Sequence, residues 1–173
     1  DLKDIPLLNL LISSFSLYCQ NHDADSSGEL AQQSLNQVKL IRFDNLRTSA
    51  LPAMNSTRQP HCYLQFVINE NIVAQSGVVK DQIRPDWSNE KLTVNLVDAK
   101  RFLRCVVMIK NYFFDDVPLG VCHIPLISLD VMNGKEQSFL IDTTGMPSGR
   151  AAVEDYISKG GKPPKLYATF QEV

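Results

Sequence analysis

"DQIRPDWSNEKLTVNL", residues 81–96, joins an irregular Pro-Asp-Trp turn to a strictly alternating run. Leu92, Val94 and Leu96 fall on one side and Lys91, Thr93 and Asn95 on the other, the period of two expected of a half-buried strand. Arg84-Pro85-Asp86 cannot extend that strand backwards, because proline lacks the ladder donor and biases its predecessor away from helix. The turn ends one strand and begins another, and the chain's only tryptophan, Trp87, stands at the corner.

Similar short strands are expected on both sides of this corner, at 37–43, 61–68, 71–79, 90–97, 103–109, 119–126, 137–141 and 165–171. Clusters of Pro, Gly, Asn and Asp separate them, with one brief helical piece near Ile127 to Met132. Eight short strands in this setting predict an antiparallel β-sandwich of Greek-key type, an all-β fold. Residues 44–60, 80–89, 110–118 and 142–164 are longer or more polar than hairpins require, so function is expected in these loops, three of which could share one end.

Upstream, "IPLLNLLISSFSLYC" (residues 5–19) reads as an added N-terminal amphipathic helix within residues 1–20. Asp4 is placed to cap it, Pro6 lies in its first turn, and Leu7, Leu11, Phe15 and Tyr18 share one side. It contains Asn9 and three serines and is several residues short of a bilayer span, while the acidic start does not suit a signal peptide. Residues 21–36, poor in large apolar side chains and containing Ser-Ser-Gly, read as a linker, and the domain is expected over 37–173. A start at Asp1 rather than methionine is expected of a processed product or a piece of something longer.

The chain has 173 residues, 44% hydrophobic and 21% charged, which suits one globular core. A net charge of −2 argues against nucleic acid as the main partner. Cys19, Cys62, Cys105 and Cys122 form no CxxC pair, so neither a zinc site nor a thioredoxin-like centre is expected. Cys62, Cys105 and Cys122 alternate with apolar residues and read as buried free thiols suited to a reducing cytosol, with a disulfide as the minority alternative. Asn55-Ser56-Thr57 is a formal glycosylation sequon but matters only in a secreted protein.

Four segments resemble the C2 domain family. "RPDWSNE" (84–90) is similar to the family's Asn-Pro-x-Trp-Asn-Glu corner, where the tryptophan packs and the carboxylate ties the turn. "QPHCYLQF" (59–66) resembles the Asp-Pro-Tyr strand after the first calcium loop, "DDVPLGVCHIPLISL" (115–129) the strand after the third loop, and "PKLYATFQ" the closing strand. The resemblance covers residues 37–173 and implies a C2 sandwich, with its two circularly permuted topologies, type I and type II, both open.

The departures from the family pattern bear on function. Calcium-binding members supply about five loop aspartates, since Ca²⁺ takes six to eight oxygens. Here Gln59 stands in the place of Asp-Pro, and Lys110 and Tyr112 stand where the third loop's Asp-x-Asp pair would fall. That leaves Asp44 and Asp115 or Asp116 as candidate ligands. An ammonium 5 Å from a divalent ion would be repelled by roughly 7 kcal/mol at an effective dielectric near 20. The pattern resembles the calcium-independent branch, as in the novel protein kinases C; a regulatory domain of such a kinase is one parentage.

No catalytic arrangement is legible. GxSxG and HExxH motifs are absent, and His22, His61 and His123 are isolated from any nucleophile context. "SKGGKPPK" (158–165) resembles a phosphate loop only superficially, because Pro163-Pro164 forbids the helix that would follow. No cofactor and no enzyme activity are expected.

"KNYFFDD" (110–116) puts Tyr112, Phe113 and Phe114 together in a loop, as a contact for a protein partner or a membrane, or with a phenylalanine turned inward to cap the sandwich. Asp115 and Asp116 tilt the balance toward protein, opposing an anionic surface by roughly 1 kcal/mol each. A basic window is the counterweight. Between 80 and 110, Lys80, Arg84, Lys91, Lys100, Arg101, Arg104 and Lys110 face Asp81, Asp86, Glu90 and Asp98, seven against four and so +3. C2 domains often bind phosphoinositide on a lysine-rich concave face of the third and fourth strands, to which Lys80 and Lys91, with Arg84 beside them, could contribute.

The expected function is a cytoplasmic, non-catalytic module for calcium-independent protein interaction or scaffolding. The alternative is constitutive peripheral membrane targeting by phospholipid or phosphoinositide.

Overall fold

Alternating burial along the strands organises a two-sheet sandwich, seen in a computed structural model that describes residues 40–53, 59–96, 99, 101–131 and 133–173. The strands are β1 (Leu40–Thr48), β2 (Cys62–Ile68), β3 (Asn71–Gln75), β4 (Asp86–Trp87), β5 (Leu92–Asn95), β6 (Phe102–Ile109), β7 (Val117–Pro125), β8 (Glu136–Leu140) and β9 (Lys165–Glu172). Two helices join them, α1 (Leu126–Val131) and α2 (Pro147–Ser158). One sheet runs β4-β1-β9-β8 with β5 also on β1, the other β3-β2-β6-β7, and every pairing is antiparallel.

β9 lies between β1 and β8, so the topology is the permutation in which the last strand fills that central place. Phe43, Phe66 and Phe170 meet between the sheets, with ring centroids 4.7 Å (Phe43–Phe66) and 6.0 Å (Phe43–Phe170) apart. Leu46, Leu64, Leu103, Leu119, Ile124 and Leu166 complete this fully buried layer. Removing a side chain of this kind costs about 2–5 kcal/mol, because transfer and cavity terms add. Cys62, Cys105 and Cys122 are free and buried in the same core, and Cys105 faces Cys122 across β6 and β7.

The Trp87 corner is a clamp on one residue, Gly77, through the two peptide units that flank it. Trp87 is buried and its indole Nε1–H donates to the Gly77 carbonyl at 2.9 Å. The Glu90 carboxylate accepts the Gly77 amide at 3.0 and 3.2 Å.

Several boundaries differ from the sequence reading. β1 continues to Thr48 through a bulge with Asn45 at φ 53°, instead of ending at 43. The strand expected over 71–79 stops at Gln75, and Val79 rejoins β2 as an isolated bridge to Cys62. The Pro-Asp-Trp turn itself supplies β4, a ninth strand among the described residues.

The segment 142–164, expected as a loop, contains α2. Pro147 opens that helix, and Arg150–Glu154 and Asp155–Lys159 pair at i,i+4. Its Gly149 disfavours helix by about 1 kcal/mol, but a Cβ there would overlap the Leu119 carbonyl, so glycine is what lets α2 seat on β7. The expected N-terminal helix (1–20) and linker (21–36) lie outside the described residues.

Candidate functional site at the loop tip

Backbone bonds gather four connections at one end of the sandwich. Lys110 N–H donates to His61 O at 2.7 Å, Leu51 N–H to Ile83 O at 2.8 Å and Ser49 N–H to Lys165 O at 2.8 Å. These link residues 49–53 and 59–61 with 80–85, 110–116 and the end of 142–164 at Lys165, a larger gathering than the three loops the sequence suggested.

The loop 110–116 is organised around Asp116. Its Oδ1 accepts the Asn111 amide at 2.9 Å, and its Oδ2 accepts the Tyr63 hydroxyl at 2.7 Å and the Lys110 ammonium at 3.0 Å. The Asn111 amide, then the Tyr63 hydroxyl and Lys110, hold the Asp116 carboxyl below the usual carboxylate range. Desolvation, aided by Asp116, pushes Tyr63 up to about 12. With the polar groups satisfied from inside, the tip turns its rings outward: Phe113 is 86% and Phe114 79% exposed. Neither ring caps the core.

Tyr112 is different from its neighbours. Its hydroxyl lies 3.4 Å from His61 Nδ1, the rings meet edge-on at 5.4 Å, and His61 Nε2 is 3.2 Å from Asp81 Oδ1. His61 therefore ties three of the four connections together. Nothing in the spacing of 61, 81 and 112 signals this, because the contact exists only once the loops converge.

The remaining candidate calcium positions divide. Gln59, Lys110 and Tyr112 line one groove at the tip, Asp115 is exposed, and Asp116 is engaged as described. Asp44 stands within β1, opposite Thr169, where its Oδ2 takes the Arg42 Nε–H at 3.0 Å. It belongs to the sheet, not to the loop end.

The candidate headgroup residues flank the Trp87 corner, outside the strands. Lys80 follows the Val79 bridge to β2, Arg84 precedes Pro85 beside β1, and Lys91 precedes β5. All three are exposed, and β3 and β5 lie in different sheets. β2 and β3 carry no lysine or arginine, and their side chains open to solvent include Gln65, Ile72 and Gln75.

The C2 domain family model matches residues 37–141, and the chain belongs to that family. C2 domains are modules for protein or lipid interaction and are generally non-catalytic. Among solved structures, the chain is similar to a two-domain C2 fragment of Extended-Synaptotagmin 2 at 18% identity and TM-score 0.56, over 78% of this chain and 40% of that one. It is also similar to BON1-C2B, at 14% identity and TM-score 0.54 over 87% and 99% of the two chains. At these identities the likeness concerns the fold. No curated protein sequence matches.

Proposed function

We propose that the domain is a calcium-independent interaction module whose contact is the 110–116 tip and whose partner is a protein. The carrying observation is the Lys110–Asp116 pair at 3.0 Å beside two outward phenylalanines. A tethered ammonium neutralises the one inward-turned carboxylate of the tip and repels any divalent ion brought to it. Burying the Phe113 and Phe114 rings contributes about 3–5 kcal/mol before association costs, the scale of a hot spot on a protein surface.

Peripheral membrane binding is the second reading, favoured by the same exposed rings. The lack of lysine and arginine in β2 and β3 weighs against a phosphoinositide site on their outer face. Flotation in chelator with neutral, phosphatidylserine and phosphoinositide liposomes, beside pull-down with the full chain, separates the two. Protein capture that depends on Phe113 and Phe114 without flotation supports the proposal. Phosphoinositide-dependent flotation lost on Lys80→Glu and Lys91→Glu overturns it.

A further inference from the structure

At the end of the sandwich where β1 begins and β9 finishes, the connection from α1 to β8 is pinned to β9. The Gly134 N–H donates to the Phe170 carbonyl at 2.8 Å, and the Asn133 side-chain carbonyl accepts the Glu172 N–H at 3.2 Å. Asn133 and Gly134 are exposed and lie in a turn outside helix and strand. They form the one Asn-Gly pair in the sequence. Gly134 sits at φ 74°, and a Cβ there would meet nothing within 4 Å, so the space around the turn is open.

We propose that Asn133 is a site of spontaneous covalent modification, deamidation through a cyclic imide formed with Gly134, and that release of the Gly134–Phe170 bond gates it. The proposal is independent of the tip contact, which lies at the other end of β1.

Asparagine is among the chemically labile side chains, and the step needs no enzyme or cofactor. Hydroxide removes the Gly134 amide proton, and the nitrogen attacks Asn133 Cγ. A bond forms between the Gly134 nitrogen and Cγ. The bond from Cγ to the side-chain nitrogen breaks, and that nitrogen takes a proton from solvent and leaves as ammonia. Water then opens the ring at either carbonyl, giving aspartate or isoaspartate. Glycine in second place has no Cβ to crowd the attack and turns freely into the geometry it requires.

Both reacting groups are engaged with β9, the nucleophile by Phe170 and the electrophile by Glu172, so the turn must first come away. Its anchors stand near the end of β9, where Gln171, Glu172 and Val173 are exposed, and strand ends open more readily than core pairs. Loss of the Gly134 amide proton is also the first step of its hydrogen exchange. Where opening and closing are fast, both processes follow the population of the open form.

The full chain, folded in mildly alkaline buffer, is incubated over weeks beside the same chain in urea, and both are followed by peptide mass mapping with fragmentation that separates isoaspartate from aspartate. Conversion is expected at Asn133 in the folded chain, ahead of the other described asparagines, and faster in urea. The slowing on folding should match the protection of the Gly134 amide in hydrogen exchange. Asn133→Gln keeps a side-chain amide but needs a larger ring that closes far more slowly, so the conversion should be lost.

A folded chain that shows no conversion at Asn133 over that time overturns the proposal, as does a product that persists in Asn133→Gln. Equal rates in buffer and in urea, or a slowing unrelated to Gly134 exchange, would overturn the gate.

Discussion

The Lys110 ammonium lies 3.0 Å from the Asp116 carboxylate, so the tip carries its own cation. A ligand that binds only the folded state raises stability by mass action. Melting curves in millimolar calcium and in chelator are therefore expected to coincide, and a calcium-dependent rise in melting temperature would count against the proposed independence. The pair is partly exposed, so Lys110→Ala should lower stability by about 1 kcal/mol or less.

Because Phe113 and Phe114 project into solvent, Phe113→Ser and Phe114→Ser should each change stability by less than about 0.5 kcal/mol. Loss of an anchor ring should weaken binding to the proposed partner about thirtyfold. Urea unfolding beside a binding titration checks both. A loss of roughly 3 kcal/mol in folding stability would make the rings core groups instead.

Asp116 gives the domain an acid-sensitive tip. Its carboxyl titrates lower in the folded chain than in the unfolded one, so its stabilisation is complete above about pH 4 and is lost as the pH falls through the folded value. Asp116→Asn removes a charged acceptor and should cost on the order of 2 kcal/mol at neutral pH. The gap between wild type and variant should close under acid, as urea midpoints across the range will show. A gap independent of pH would refute this role.

Burial pushes the Cys62 and Cys122 thiols up to about 12 and Cys105 well above its ordinary value. The thiolate is the reactive form, so none of the three should react with an aromatic disulfide reagent at pH 8 while the domain is folded. In denaturant all three should react. A Cys19→Ser background isolates them, and rapid labelling of the native protein would contradict the expectation.

Trp87 and Glu90 hold the peptide units on either side of the Gly77 Cα, Glu90 through its N–H and Trp87 through its C=O. Trp87→Phe should cost about 2–3 kcal/mol from the lost hydrogen bond and the unfilled volume. Combined with Glu90→Gln the losses should not add, because the two side chains fix the same residue. Additivity in a double-mutant cycle would show that they act separately.

The period-two pattern around Trp87 was enough to place the sandwich, since alternation is local and each strand carries its own inward face. Val94 and Leu96, and likewise Cys62, Leu64 and Phe66, announce their burial without reference to any partner strand. Gln59, Lys110 and Tyr112 could be named from the sequence as loop residues, and they line one groove at the tip.

Tertiary structure decided what depends on meetings between distant segments. Asp44 has the chemistry of a ligand, but the bulge after it keeps it in the sheet beside Arg42. β3 and β5 are separated in sequence only by the corner and the two-residue β4, yet they pair in separate sheets. His61 meets Asp81 and Tyr112, and Asp116 meets Tyr63, only because antiparallel pairing brings the loop ends together. α2 was hidden because its glycine is a poor helix former whose advantage, close contact with Leu119, comes from a strand some thirty residues away. Local periodicity thus fixed which faces are buried, while the polar contacts that shape the tip depended on long-range pairing, for which one chain's sequence carries no local signal.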